Sequence, residues 1–221
     1  MLQLPTAPMP LSHITCNHTN TQVQYRVENT FNAQLCLDMH QKWGVEKNKI
    51  LAEIVKKHPE CMKDIDFFLS LLTEYNIEDL QWDWLTKALH CNTDEYRWFY
   101  LIIEEKVQAT CIIYHPKKSQ FDTKNIFYVD YLATAFWNRS RPGYKRQYAG
   151  LATILLAHGI RFAIDQLKYR PGFCLHSLPK AESYYIGLGM TDFGPDKEKQ
   201  DLKFFEAEST ASLSLMEQHY V

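Results

Sequence analysis

The residues best suited to chemistry surround a turn that opens a long apolar helical segment. The turn consists of Gln147, Tyr148, Ala149, Gly150, Leu151 and Ala152. A helix N-terminus offers unpaired N–H groups and a positive dipole end, and glycine lets a ligand approach the backbone closely. Four basic residues precede the turn: Arg139, Arg141, Lys145 and Arg146. The pattern predicts a pyrophosphate site, with at least one of the four as a phosphate ligand; the alternative is a merely solvated basic loop.

A carboxylate occurs where apolar residues predominate. Asp130 lies within residues 125–134, a nearly continuous apolar and aromatic run. A carboxylate in such a run is costly unless it faces a wet cleft or a charged partner. Tyr128 shares its face, because side chains of a strand alternate. Asp130 is therefore interpreted either as a general base, acting directly or through water, or as the structural partner of an arginine.

The remaining reactive residue types predict less. His13, Cys16 and His18 are spaced like metal ligands, but they lack a fourth ligand nearby, and no metal site is expected. His176 is interpreted as a hydrogen-bonded histidine of the core; the alternative is that it reaches the cleft. The six cysteines form no CxxC pair, which is typical of reduced, buried thiols in a reducing cytoplasm.

Hydrophobic periodicity predicts the elements that hold these residues. Residues 21–28 alternate like a half-buried strand, and residues 29–91 have helical periodicity sufficient for three or four helices. Two strands with a tight turn are expected over 97–114, a central strand over 125–134 and a long helix over 150–169. A strand over 172–177, a short helix over 179–188 and two short strands near 190–193 and 201–205 complete the prediction.

Composition sets the class of protein. The chain has 221 residues, 46% of them hydrophobic, and a formal net charge of −2, which argues against a general nucleic-acid-binding surface. No apolar run is long enough to span a bilayer and no secretory signal is evident, so no membrane partner and a cytoplasmic location are expected. Residues 1–20 are predicted to form an extended arm, and residues 21–221 one domain, with a helical part over 29–91 and a core over 97–205.

Two motifs carry a family resemblance. Gln147, Gly150 and Ala152 match the pattern [QR]-x-x-G-x-[GA], and a second motif 35 positions further on matches at Ala181, Tyr184, Tyr185 and Gly189, with Met190 in place of phenylalanine. In this order and spacing, the sequence resembles the GNAT superfamily of N-acetyltransferases over about half of its length.

The resemblance implies an α/β fold with a mixed, mostly antiparallel sheet, splayed between the family's fourth and fifth strands, helices on both faces and an enlarged N-terminal helical part. It implies acetyl-CoA as donor, with the pyrophosphate on the backbone of residues 147–152 beside Arg146. The pantetheine would pair with the backbone of Leu132, Ala133 and Thr134. Tyr185 matches the family's general acid.

These features predict an enzyme that transfers an acetyl or other acyl group from acyl-CoA to a primary amine of a small molecule, peptide or protein. The alternative is a domain of the same fold that binds CoA or a partner without turnover. The acidic stretch 74–83, which contains Trp82, is expected either to line a cleft for a cationic amine or to be an ordinary acidic helix. Monomer and homodimer both remain open.

Overall fold

Eight strands form one sheet in the computed structural model, which describes residues 12–219. The spatial order is β1-β2-β3-β4-β5-β6-β8-β7. Neighbouring strands are antiparallel except β5 and β6, which are parallel. The strands are β1 (Ser12–Thr15), β2 (Gln22–Glu28), β3 (Tyr96–Ile103), β4 (Lys106–Lys118), β5 (Asn125–Thr134), β6 (Phe173–Ser177), β7 (Thr191–Asp196) and β8 (Leu202–Ala207). The predicted mixed sheet is confirmed.

Helices cover both faces of the sheet. The α-helices are α1 (Ala33–Lys57), α2 (Ile65–Glu74), α3 (Trp84–His90), α4 (Leu151–Asp165), α5 (Glu182–Gly187) and α6 (Ser209–His219). Successive β3 residues alternate between the two resulting cores: Trp98 and Tyr100 pack with α1, whereas Phe99 and Leu101 pack with α4. Burial on both faces explains why the central strands have nearly continuous apolar sequences.

The parallel pair separates along its length. Phe127–Val129 of β5 pair with Phe173–Leu175 of β6, and the ladder ends there although both strands continue. Next to this point, the register between β4 and β5 shifts, because Ile112 faces Tyr131 whereas Ile113 faces Val129. Asp130 is therefore the extra residue of a β-bulge, which bends its strand. We call the space beyond Val129 and Leu175 the gap.

Three expectations need correction. Within the predicted arm, Ser12–Thr15 form an edge strand, and residues 1–11 lie outside the described residues. The long helix ends at Asp165 rather than at 169. The final helix, α6, was not predicted, since Ser and Thr fill four of its first six positions and these residues disfavour helix interiors.

Candidate functional site

The N-terminus of α4 differs from those of α1, α2 and α3. Helices α1, α2 and α3 are capped by the side chains of Asn32, Asp64 and Asp83, which accept hydrogen bonds from first-turn N–H groups. The N-cap of α4 is Gly150, which has no side chain and adopts φ +77°. A Cβ added there would meet no atom within 4 Å. The first turn of α4 therefore faces open space without a cap.

Two of the predicted donor amides are already used within the protein. The N–H of Gln147 donates to the carbonyl oxygen of Trp137 (3.0 Å), and that of Tyr148 to Oδ1 of Asn138 (3.1 Å). Within residues 12–219, the backbone N–H groups of residues 149–153 have no hydrogen-bond acceptor. We call these five groups the amide cradle. Of the residues 147–152 predicted to contact the pyrophosphate, Gln147 and Tyr148 have N–H groups that are already bonded, and Ala149, Gly150, Leu151 and Ala152 keep theirs unpaired within the described part of the chain.

The turn after β1 holds the backbone in front of the cradle. The N–H of Asn17 donates to the carbonyl oxygen of Gln147 (2.8 Å), and its Nδ2 donates to that of Arg146 (3.2 Å). Nε2 of His18 donates to the carbonyl oxygen of Lys145 (2.6 Å). His18 of the suspected metal cluster therefore bonds to the backbone. Beside the cradle, Gly150 and Ala149 line a cavity of about 460 Å³ together with residues 12–15, Gln218 and His219.

The four basic residues of the preceding loop have different environments. Arg139 forms a paired contact with Asp79 (2.5 and 2.9 Å), with both side chains largely buried. Arg141 lies 3.6 Å from Glu46 of α1 and stacks on Tyr144. Lys145 and Arg146 are exposed, and Arg146 alone of these two lines the cavity in the gap. Arg146 remains the predicted phosphate ligand, whereas Arg139 and Arg141 are engaged by carboxylates.

A cavity of about 330 Å³ occupies the gap. Leu132, Ala133 and Thr134 form its β5 wall, and Ala152 joins it to the amide cradle. The opposite wall contains Tyr185 and other residues that follow β6. Of the predicted residues, this cavity therefore holds Leu132, Ala133, Thr134, Arg146, Ala152 and Tyr185, whereas Ala149 and Gly150 line the cavity beside β1. The Thr134 carbonyl, however, already accepts from Arg139 (2.7 and 2.9 Å), so it is not a free acceptor.

Tyr185 and Tyr184 both line this cavity but are held differently. The Tyr184 hydroxyl lies 2.9 Å from the Thr153 hydroxyl and so joins α5 to the first turn of α4. The Tyr185 ring packs beside Phe205, and its hydroxyl has no hydrogen-bond partner among the described residues. Burial raises the pKa of Tyr185, which keeps the phenol protonated. Tyr185 therefore presents a neutral proton donor to the gap.

A segment from the helical part crosses the gap. Lys180, after β6, donates to the carbonyl oxygen of Thr73, and Arg139, after β5, donates to that of Asn76 (2.9 Å). We call residues 73–79 the crossing segment. The acidic stretch contributes Glu78, Asp79 and Trp82 to the cavity wall, but Asp79 is neutralised by Arg139 and Asp83 caps α3. Of the carboxylates in this wall, Glu78 is therefore the one without an ion-pair partner among the described residues.

Asp130 lies at the apex of the gap but outside the lining of the cavity that contains Tyr185. Its Oδ2 is 4.0 Å from Sγ of Cys91. Burial raises the pKa of Asp130, an effect that Lys199 and Lys87 oppose. Lys87 of α3 places Nζ 3.4 Å from the ring centroid of Tyr131 and 4.9 Å from that of Trp82. The cations that act on Asp130 are thus Lys199 and Lys87, rather than the arginine considered from the sequence.

Several of these contacts have no signal in the sequence. Asn17 and Lys87 are ordinary polar residues in their local patterns, and His18 was considered only for its spacing to His13 and Cys16. The partners of Asn17 and His18 lie far along the chain, at residues 145–147. Within residues 12–219, no three His, Cys, Asp or Glu side chains converge as metal ligands, and no helix is long and apolar enough to cross a membrane.

Comparisons with known proteins identify the fold. No family model and no curated protein matches the sequence. A Desulfovibrio desulfuricans protein named as an acetyltransferase of the GNAT family superposes with a TM-score of 0.50 at 12% identity, over 84% of this chain and 99% of that chain. The fold is therefore the GNAT acetyltransferase fold, as the two motifs predicted.

Two further solved structures are similar. FeeM, an N-acyl amino acid synthase from uncultured soil microbes, gives a TM-score of 0.48 at 14% identity, over 90% of this chain and 96% of its own. The Campylobacter jejuni N-acetyltransferase PseH, in complex with acetyl coenzyme A, gives 0.40 at 16% identity, over 83% and 98%.

Proposed function

We propose that this protein is an acyl-CoA-dependent N-acyltransferase that transfers an acetyl or other acyl group to a primary amine. The observation that carries the proposal is the cavity in the gap. It is bordered by the β5 edge, by Tyr185 and by Ala152 of the amide cradle. The uncapped start of the cradle, at Ala149 and Gly150, lines the cavity of about 460 Å³ beside β1. A donor with a pyrophosphate at one end and a thioester at the other fits this arrangement.

The residues present fit CoA at the pyrophosphate end. Unpaired N–H groups at a helix N-terminus attract anions through hydrogen bonds and the helix dipole. Gly150 leaves the approach open, and Arg146 adds a positive charge at the cavity wall. The thioester, when bound, supplies an acyl carbon activated for attack. The chain's own task is to hold that carbon in the gap and to move two protons.

Tyr185 would supply the first proton, to the departing CoA thiolate. A phenol whose pKa is raised by burial is a weaker acid, which would oppose this step. Burial disfavours the charged form of a thiolate as it does that of a phenolate, so a CoA thiolate released in a dry gap would also be more basic than in water. This shift favours transfer of the phenol proton to it.

Asp130 would receive the other proton, which comes from the acceptor. The acceptor ammonium must lose this proton before the free amine can attack the thioester. The place of Asp130 at the apex suits a base, and burial raises its pKa above the ordinary value of a carboxyl group, which strengthens it as a proton acceptor. Because Asp130 is not part of the cavity wall, the transfer runs through water. Glu78 and Trp82 would then border the incoming amine.

The alternative, a CoA-binding domain without turnover, would be favoured by a gap filled by the helical part. The crossing segment spans the gap, yet about 330 Å³ remains beneath it. This space supports the enzyme.

The test is a calorimetric titration with acetyl-CoA, followed by a thiol-release assay with a panel of primary amines: polyamines, amino sugars and lysine peptides. Mass spectrometry then identifies acylated products. Binding together with an acylated amine supports the proposal. Tight binding without product from any amine supports the module, and failure to bind acetyl-CoA contradicts both.

A further inference from the structure

A hydrogen-bonded chain of three side chains connects three strands at the base of the gap. The Tyr128 hydroxyl of β5 lies 2.9 Å from Nδ1 of His176 on β6. Nε2 of the same histidine lies 3.0 Å from Oδ2 of Asp196 on β7. The sequence analysis placed His176 in the core as a hydrogen-bonded residue, but it did not identify either partner.

The chain begins at the point where the two parallel strands separate. Val129 and Leu175 are the last paired residues, and Asp130 and His176 are the first residues beyond them on the two strands. Tyr128 lies on the face of β5 that carries Asp130, and its hydroxyl crosses to β6. The negative charge of Asp130 acts on Tyr128: burial raises the pKa of this phenol and the Asp130 charge raises it further.

The chain ends at a separate cavity. A cavity of about 400 Å³ is lined by His176 and Asp196, with Lys117, Gly194 and Phe204 among its other walls. Exposure increases along the chain, from 8% for the His176 side chain to 39% for that of Asp196. A proton that reaches Asp196 therefore meets solvent on the side of the sheet edge, away from the acyl-transfer cavity.

The protonation states are set by the neighbours. The backbone N–H of Glu198 holds the pKa of Asp196 low, so this carboxylate is ionised and accepts from Nε2–H of His176. Nδ1 then bears a lone pair and accepts the Tyr128 hydroxyl proton. Burial lowers the pKa of His176, an effect that Asp196 opposes and that Lys199 and Lys117 reinforce. The ring is thus neutral at neutral pH and can take up a proton.

The geometry points to a proton relay: Tyr128, His176 and Asp196 carry the proton removed from the acceptor amine out of the apex of the gap to the second cavity. This inference rests on the proposed N-acyltransferase activity and adds the exit route for its proton.

The proton balance closes over one turnover. The ammonium gives a proton to Asp130, which passes one through water to the Tyr128 oxygen as the Tyr128 proton moves to Nδ1 of His176. The Nε2 proton of His176 moves to Asp196 and then to water in the second cavity. A turn of the imidazole ring about its side-chain bonds then exchanges the positions of its protonated and bare nitrogens and restores the starting arrangement, with an N–H facing Asp196 and a lone pair facing Tyr128. Tyr128 remains a phenol throughout, consistent with its raised pKa.

The test uses His176→Ala, which leaves a ring-sized space beside the open cavity, and Tyr128→Phe. Tyr114→Phe is the matched control, because Tyr114 faces Tyr128 on β4 and its hydroxyl contacts only the exposed side, at Glu95. We expect the kcat of His176→Ala to fall by about 10²-fold. The acid limb of its pH–rate profile should move to higher pH, and the KM for acetyl-CoA should stay unchanged. Added imidazoles should restore kcat in the order of their basicity.

Several outcomes would overturn the relay. If the parent acylates amines and His176→Ala and Tyr128→Phe keep its kcat and pH profile, the relay is wrong and the acyltransferase stands. If His176→Ala binds CoA normally but loses activity that no imidazole restores, the role of His176 is purely structural. If the parent binds acetyl-CoA but acylates nothing, the proposed function fails and the relay with it. Nitrogen NMR of the parent supplies an independent check: a proton resting on the His176 ring nitrogen that faces Tyr128 contradicts the relay.

Discussion

The two sides of the gap use different chemical groups: one uses backbone N–H groups and the other uses side chains. On the proposed donor side, the backbone N–H groups of residues 149–153 have no acceptor among the described residues, and the N-cap of α4 is a glycine without a capping side chain. On the acceptor side, side chains from the helical part and from β5 meet, and most of their charges already have partners. Asp79 pairs with Arg139, and Lys87 lies among Tyr131, Trp82 and the charge of Asp130.

This difference determines what each side can select. A backbone site binds any ligand with the right anionic group, and its chemistry changes little when side chains vary. A side-chain site is specific, because each charge depends on how its neighbours are paired. The donor is therefore the part of the reaction that the chain defines most firmly, and the acceptor depends on contacts among distant segments.

The largest expected effect comes from the residue where the two sides meet. Tyr185→Phe removes one hydroxyl that has no protein partner, so the free energy of unfolding should change little. Without the acid, kcat should fall by about 10²-fold or more, while acetyl-CoA affinity stays at the parent value. Steady-state kinetics and a calorimetric titration on one preparation measure both.

Tyr184→Phe is the matched control, since it lines the same cavity but its hydroxyl bonds to Thr153. It should lose stability rather than catalysis. Parent-like kcat in Tyr185→Phe would remove this residue from the mechanism.

A substitution at Gly150 tests the proposed donor site most directly. Gly150→Asp places a side chain and a negative charge at the cradle, so acetyl-CoA should bind at least about tenfold more weakly. Gly143→Asp is the control, because Gly143 also has a positive φ (+72°) and open space at its Cβ but does not begin a helix. Equal affinities of the two variants in a titration would show that the cradle does not bind the donor.

The pH dependence of activity tests the role of Asp130 on the acceptor side. As a base Asp130 must be ionised, so activity should rise with pH as this carboxyl group, whose pKa is raised, loses its proton. Asp130→Asn should reduce kcat by about tenfold or more at pH values below this rise. Because folding raises the pKa of Asp130, the folded state favours the protonated form. The site's contribution to stability is therefore present at low pH and lost as pH rises.

It follows that Asp130→Asn should be more stable than the parent at neutral pH while being less active. Thermal unfolding at pH 4 and pH 7.5 checks the sign. A variant with the parent's pH–rate profile would leave Asp130 with a structural role alone.

The smallest effect is expected at Arg146. An exposed arginine that contacts a phosphate contributes about 1 kcal/mol, so Arg146→Ala should weaken acetyl-CoA binding about fivefold, and less at high salt. Lys145→Ala, at the adjacent exposed lysine that does not line the cavity, should leave affinity unchanged. Similar losses in both variants would indicate diffuse attraction by the loop.

The same contrast explains what the sequence could predict. Local patterns were sufficient for the 125–134 strand and the glycine at the start of α4, because each depends on neighbours in sequence. Tyr185 was singled out by the family resemblance instead, and its role stays a prediction. They could not predict that Gln147 and Tyr148 use their amides internally, or that Asp130 is a bulge residue, since both follow from register with distant strands. The pairing of His176 with Tyr128 and Asp196 joins three strands and has no local signal.

The cavity beside Gly150 brings the two ends of the described chain together. Its walls include residues 12–15 of β1 and Gln218 and His219 of α6, and His18 bonds to a residue 127 positions later. Loosening either end would therefore disturb the start of α4. A ligand bound at the proposed donor site would stabilise both ends against fraying, by an amount that grows with its concentration.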